Sequence, residues 1–291
     1  MFSRLYPRLL FCFCALAIAY STALADSWSV QKEIAFAAIE DKPLYLDVYL
    51  PDEGLQDGLI VWIHGGAWRR GSKVSVPIKG MIEKGWAIAS VGYRLSPQAP
   101  FPAQIHDIKA AIRYLRAHGS GHGLQVDRIF IAGSSAGAHL AALAGVTNGH
   151  LELEGDIGSE LRESSDVQGI ISFYGASNLT TILDQSTPHG LSVRVPALEL
   201  FIGGHPDDVV ATAQLASPVF HIDPKDPPLL LIHGDQDPQM PINQSIELMG
   251  RYKARGLEVT FVPIHGGKHG GEAFYDEERL ELAHQFLLNI D

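Results

Sequence analysis

Two adjacent serines stand between glycines in the run Gly133-Ser134-Ser135-Ala136-Gly137. A serine hydroxyl becomes a useful nucleophile only with a base in hydrogen-bond reach and an acid to orient that base. Ser135 has glycine at both the −2 and +2 positions, whereas Ser134 has Ala132 and Ala136 there. Flanking glycines allow the sharp strand-to-helix turn that lifts its central side chain above a sheet. Ser135 is therefore the candidate nucleophile, and Ser134 a neighbour that hydrogen-bonds locally. The candidate acids lie in LLLIHGDQDPQMP (229–241), an apolar run that breaks into a polar loop. Asp237, followed by Pro238 in a turn, is preferred; Asp235 is expected to cap or brace the loop. The candidate base comes from VPIHGGKHGGEAF (262–274). His269 sits deep in the glycine-rich loop, while His265 at the end of the apolar run is expected to be a structural or rim residue.

An acyl transfer through serine develops negative charge on the carbonyl oxygen, and loss of one preorganised N–H donor typically costs about 3–4 kcal/mol of barrier. The loop in IVWIHGGAWRRG (60–71) can bring backbone N–H groups to that oxygen. Gly66 and Ala67 are the expected loop donors, with Gly65 as the alternative, and Ala136 at the start of the following helix supplies the other. The same loop carries neither the lysine pattern of a phosphate loop nor a dinucleotide fingerprint.

These residues need a scaffold that delivers them from separate loops. Apolar runs GLIVWIHGG (58–66) and GWAIASVGYRL (85–95) read as strands covered on both faces, and LYLDVYLP (44–51) as a half-exposed one. Residues 101–119 place Ile105, Ile108, Ile112 and Leu115 at helical spacing, stopped by Gly119. The alternation continues with strand 127–133, helix 136–146, strand 167–175, strand 227–234, helix 242–256, strand 257–266 and helix 274–290. Strands alternating with helices predict an α/β fold with a mostly parallel central sheet and helices on both faces. Residues 177–226, with prolines and scattered aromatics, read as an irregular cap or insertion over the site. No repeat or linker divides residues 26–291, which are expected to form one domain.

The chain begins with Arg4 and Arg8, an apolar stretch from Leu9 to Tyr20, and the small-x-small signal Ala23-Leu24-Ala25. That is the layout of a cleavable secretory signal peptide, residues 1–25, cut after Ala25. The apolar stretch is shorter than the roughly 20 residues needed to span a bilayer, so stable membrane insertion is not expected. Both cysteines, Cys12 and Cys14, lie within it, which removes thiolate chemistry and cysteine-ligated metal from the processed protein. The net charge of −11 offers no electrostatic footprint for nucleic acid. No cofactor or metal is implied; His265 and His269 have H-x-x-x-H spacing but lie in a flexible-looking glycine loop. Oligomeric state is open.

HGGAW, YRLSPQAPFPAQIHDIKAAIRYLR, GSSAGAHLAAL, HGDQDPQMP and HGGKHGG together resemble the α/β-hydrolase superfamily of esterases and lipases. The resemblance runs from about residue 40 to the C-terminus and is nearest to the carbohydrate-esterase-like branch of feruloyl and acetyl-xylan esterases. It implies an α/β-hydrolase fold, with nucleophile, acid and base on Ser135, Asp237 and His269. It places the oxyanion loop on His64 to Trp68, with His64 as a loop brace. Ala138 stands where such esterases often have glycine. GSSAGAHL and HGGAW also resemble kynurenine formamidases and prenylcysteine methylesterases. The expected activity is a secreted or periplasmic serine carboxylester hydrolase acting on small or carbohydrate-linked esters. The alternatives are an arylformamidase-like amide hydrolase and a catalytically silent binding protein on the same fold. Asp107 and Arg94 read as a structural pair, His139 as a packed histidine, and Trp68 and Phe101 as pocket walls. Asn178-Leu179-Thr180 and Asn243-Gln244-Ser245 fit the glycosylation pattern.

Overall fold

A computed structural model of the chain describes Met1 and residues 27–290. The expected signal peptide, its cleavage position and both cysteines lie outside the described residues. Eight strands form one sheet: β1 (Trp28–Ile39), β2 (Lys42–Pro51), β3 (Leu59–Ile63), β4 (Ala87–Val91), β5 (Ile129–Ser134), β6 (Gly169–Phe173), β7 (Leu229–Gly234) and β8 (Val259–Ile264). Among the described residues eight α-helices accompany them: α1 (Gly80–Glu83), α2 (Ala103–His118), α3 (Ala136–Gly145), α4 (Leu151–Glu154), α5 (Pro188–Ile202), α6 (Val210–Leu215), α7 (Asn243–Ala254) and α8 (Glu277–Leu288). The strand order is β1-β2-β4-β3-β5-β6-β7-β8. β1 and β2 are antiparallel, β2 is antiparallel to β4, and every remaining pair is parallel.

Side chains alternate across a strand, so each central strand feeds two cores. Leu59, Val61 and Ile63 of β3 join Ile129 and Ile131 of β5 on one face, under α2, α3, α5 and α7. Ile60, Trp62, Phe130, Ala132, Leu230 and Ile232 point to the other face and meet α1 and α8. This double covering is why β3, β4 and β5 read as unbroken apolar runs. α3 is buried along its whole length.

From β3 the chain crosses to β4 on one side, then returns to β5 on the other. The strand order reverses there, and in an open parallel sheet such a switch point leaves a crevice beyond the carboxyl ends of the strands. The loops after β3 and β5, which carry His64–Trp68 and Ser135, border that crevice.

Two features differ from the sequence expectation. β1 carries no sequence signal because it is an edge strand of exposed and half-buried residues, with only Phe36 buried. Its hairpin to β2 turns through Glu40 and Asp41 at φ 46° and 64°, positions where glycine or asparagine would have been the turn signal. Residues 177–226 are not irregular throughout, because α5 and α6 lie within them. Thr187 caps α5 by accepting the Gly190 N–H at 3.0 Å, Pro188 fits the first turn, and Gly203 ends the helix at φ 83°. Pro196 lies inside α5 without ending it. Among the described residues no helix is long and apolar enough to cross a membrane.

Candidate active site

Ser135 sits at the turn between β5 and α3 with φ 53° and ψ −117°, a strained conformation for a non-glycine residue. Its flanking glycines are steric necessities. A Cβ on Gly133 would lie 2.4 Å from the Gly137 carbonyl oxygen, and one on Gly137 would lie 2.1 Å from that of Ile63. The backbone of α3 thus presses against β3 and β5, and the serine side chain is driven up to the crevice.

The structure brings Ser135, His269 and Asp237 together although they come from the ends of β5, β8 and β7. Ser135 Oγ is 2.9 Å from His269 Nε2, and His269 Nδ1 is 2.6 Å from Asp237 Oδ2. A carboxylate only accepts, so His269 Nδ1–H donates to Asp237 and Nε2 is left to accept from the serine hydroxyl. The other Asp237 oxygen accepts the N–H groups of Gln239 at 2.8 Å and Met240 at 2.9 Å. Burial opposes the charge on Asp237, but His233, His269 and the Met240 N–H outweigh it and hold the carboxyl well below the usual carboxylate range. Such a chain can withdraw the serine proton onto imidazole while a fixed negative charge stabilises the imidazolium.

Asp235 faces a different partner. It accepts the Gly266 N–H at 2.8 Å and lies 3.0 Å from Nδ1 of the exposed His265. The two histidines of the H-x-x-x-H spacing therefore address two separate aspartates. Among the described residues no three His, Cys, Asp or Glu side chains gather as a metal site would need.

Gly65, Gly66 and Ala67 line a cavity of about 290 Å³ together with Ser135 and His269. Gly66 takes φ 125°, Ala67 φ 54° and Trp68 φ 59°, which turns the loop sharply back over the serine. Among the described residues, the N–H groups of Gly65, Gly66, Ala67 and Ala136 donate to no loop or turn carbonyl. His64 braces the loop: its Nδ1–H donates to the Gly65 carbonyl at 2.8 Å, and its ring stacks on Tyr93 at 4.4 Å. Burial lowers the His64 pKa, with the Gly65 bond opposing.

Trp68 and Phe101 do not line the cavity, contrary to their expected role as walls; both are buried beneath it. Trp68 stacks on Phe201 of α5 at 4.7 Å, and Phe101 meets the same ring edge-on at 5.5 Å. His139 is packed, as its place on α3 suggested. Its Nδ1 accepts the Trp68 indole N–H at 3.1 Å, so its Nε2–H must donate to the Ala216 carbonyl at 2.7 Å. Burial pushes the His139 pKa down to about 4, the Ala216 bond opposing. Arg94 and Asp107 form the expected structural pair, with Arg94 Nη2 at 2.7 Å from Oδ1. Asn178 is buried and its amide donates to Glu247 at 2.7 Å, which leaves it poorly placed for glycosylation in the folded chain.

Four further residues of the site are not among the candidates read from the sequence. His233 Nε2–H donates to the Met240 carbonyl at 3.0 Å and lies 3.5 Å from Asp237, four residues along. Tyr174 packs edge-on against the His269 ring at 4.9 Å, and its hydroxyl meets that of Tyr275 at 2.5 Å. Arg194 and Gln239 line the cavity opposite the serine turn. Only His233, ending an apolar strand four residues before the acid, could have been singled out from spacing.

Strands ending in these loops around a serine turn define an α/β hydrolase. The BD-FAE family model matches residues 46–252, and the chain belongs to that family. It is 30% identical over 243 residues to Esterase LipC of Mycobacterium tuberculosis, covering 80% of this chain and 58% of that protein. It spans about half the length of the curated relatives it matches. Among solved structures, a truncated form of a carbohydrate esterase from gut microbiota superimposes with a TM-score of 0.79 at 30% identity, covering 90% of this chain and 96% of that one. A bifunctional GH43-CE protein of Bacteroides eggerthii gives a TM-score of 0.79 at 34% identity, covering 89% of this chain and 35% of that one.

Proposed function

We propose that this chain is a serine carboxylester hydrolase that works through an acyl-enzyme on small or carbohydrate-linked esters, exported by the leader at residues 1–25. The observation that carries the reading is the continuous contact from Ser135 Oγ through His269 to Asp237, at 2.9 and 2.6 Å, at the edge of a cavity. Ser135 attacks the ester carbonyl as His269 takes its proton, and Asp237 stabilises the imidazolium. The N–H groups of Gly66, Ala67 and Ala136 hold the oxyanion. His269 then returns the proton to the departing alcohol, and water attacks the acyl-enzyme by the same route in reverse roles.

The names of the relatives, an esterase and a carbohydrate esterase, support an ester rather than an amide substrate. A cavity of about 290 Å³ is at the small end for ligand sites, which favours a short acyl group. Residues 26–291 act as one unit in this reading, with 177–226 as the wall that shapes the pocket. A fluorophosphonate probe is expected to label the wild-type chain covalently and to leave Ser135→Ala unlabelled. Labelling that persists in that variant would sink the assignment.

A further inference from the structure

The cavity beside Ser135 is cationic in a chain whose net charge is −11. Arg69, Arg70 and Arg194 line it, and among the described residues no aspartate or glutamate does. Arg69 and Arg70 follow the loop after β3, while Arg194 arrives from the middle of α5. The arginine ion pairs of the described residues belong to Arg94, Arg113, Arg251 and Arg279 instead. Arg194 is 1% exposed; its Nε–H donates to the Gln239 carbonyl at 3.0 Å, and its Nη1 is buried without a partner. No hydrogen bond joins Arg194 to Asp237, whose charge acts on the guanidinium only through space while its oxygens accept from His269, Gln239 and Met240.

A buried guanidinium with an idle donor is costly to maintain, and it stays charged because arginine does not release its proton in proteins. The group that satisfies it best is planar, anionic and able to accept two N–H bonds, which describes a carboxylate. The oxyanion of the reaction is a single oxygen already faced by backbone N–H groups, so it leaves the guanidinium fork half used. We propose that Arg194, with Arg69 and Arg70 in the same lining, determines specificity by binding a carboxylate carried on the ester substrate. The preferred substrates are then half-esters of dicarboxylic acids or esters of acidic sugars. This inference rests on the esterase reading of Ser135.

Two matched pairs of substrates test it and separate the sources of the carboxylate. On the acyl side, the nitrophenyl half-ester of adipic acid is compared with nitrophenyl hexanoate. On the alcohol side, an acetylated methyl glucuronoside is compared with its uronate methyl ester. A charge-assisted hydrogen bond is worth about 1.5–3 kcal/mol, so wild-type kcat/KM is expected to favour the acidic member of one pair by about tenfold or more. Arg194→Gln is expected to bring that ratio to about one, mainly through KM, and Arg194→Lys to restore part of it. Arg69→Gln, at a half-buried position that leaves the α5 packing untouched, is expected to lower the same ratio severalfold. Raised salt is expected to shrink the ratio in wild type more than in Arg194→Gln.

The inference is overturned if wild type prefers the neutral ester in both pairs, or if Arg194→Gln lowers both members of a pair equally. Turnover of nitrophenyl hexanoate and fluorophosphonate labelling in the same preparations report on the esterase reading separately. Loss of both in wild type removes that reading and this one with it; their retention with an unmoved ratio removes this one alone.

Discussion

The indole N–H of Trp68 donates to Nδ1 of His139 at 3.1 Å, tying the loop after β3 to the helix that follows the candidate nucleophile. The bond fixes the histidine tautomer and passes the connection on to the Ala216 carbonyl between α6 and β7. Trp68→Phe keeps the ring on Phe201 but leaves a buried nitrogen without its donor. It is expected to cost about 1–3 kcal/mol in chemical denaturation. Because two of the proposed oxyanion N–H groups, those of Gly66 and Ala67, come just before Trp68 in the chain, kcat is expected to fall more than KM rises.

The two aspartates of the loop after β7 separate cleanly. Asp237→Asn removes the acceptor that selects the His269 tautomer and is expected to lower kcat by about 10³–10⁴. Asp235→Asn disturbs an exposed contact to His265 and is expected to leave kcat nearly unchanged. Steady-state hydrolysis of a nitrophenyl ester checks both, and the reverse result moves the role to Asp235.

The turn at Ser135 tolerates no added carbon on its helix side. Gly137→Ala brings a Cβ to 2.1 Å from the Ile63 carbonyl oxygen and 2.5 Å from that of His64, both backbone atoms that cannot swing away. The expected cost is at least about 3 kcal/mol, read by denaturation or as failure to fold. Gly121→Ala meets nothing within 4 Å and serves as the control, expected within about 0.5 kcal/mol of wild type.

His139 makes stability depend on pH. Burial lowers its folded pKa to about 4, against an ordinary value of 6.5. Between those limits the unfolded chain takes up a proton that the folded chain refuses, so stability rises with pH there. This contribution is fully present above pH 6.5 and is lost as the pH falls toward about 4. His139→Gln, which removes the titrating group, is expected to be less stable at neutral pH and to lose less of its melting temperature on acidification.

What was legible in the sequence follows from how local each constraint is. Ser135 declares itself because a tight turn needs Gly133 and Gly137 beside it within five residues. Asp237 and His269 are legible because each ends an apolar strand in a short polar loop, which is also where the sheet delivers side chains to the crevice. Arg194 has no such neighbourhood: it lies mid-helix in a proline-containing segment, and its meaning comes from Gln239, 45 residues away. The helix itself was obscured because Pro188 and Pro196 count against helices, although the first suits an initial turn and the second is carried by packing of Ala197, Leu198 and Phe201. β1 was hidden for the opposite reason, since an edge strand with a solvated face has little apolar alternation to display.

Phe201 belongs to α5, which lends Val193 and Arg194 to the cavity lining, yet its ring is the surface on which Trp68 rests. Under the proposed function, substrate range and turnover are consequently not inherited independently. Transplanting residues 177–226 from a relative carries off the support of the proposed oxyanion loop along with the pocket wall. A graft keeps its rate only if the incoming segment brings an aromatic ring and a carbonyl to the places of Phe201 and Ala216.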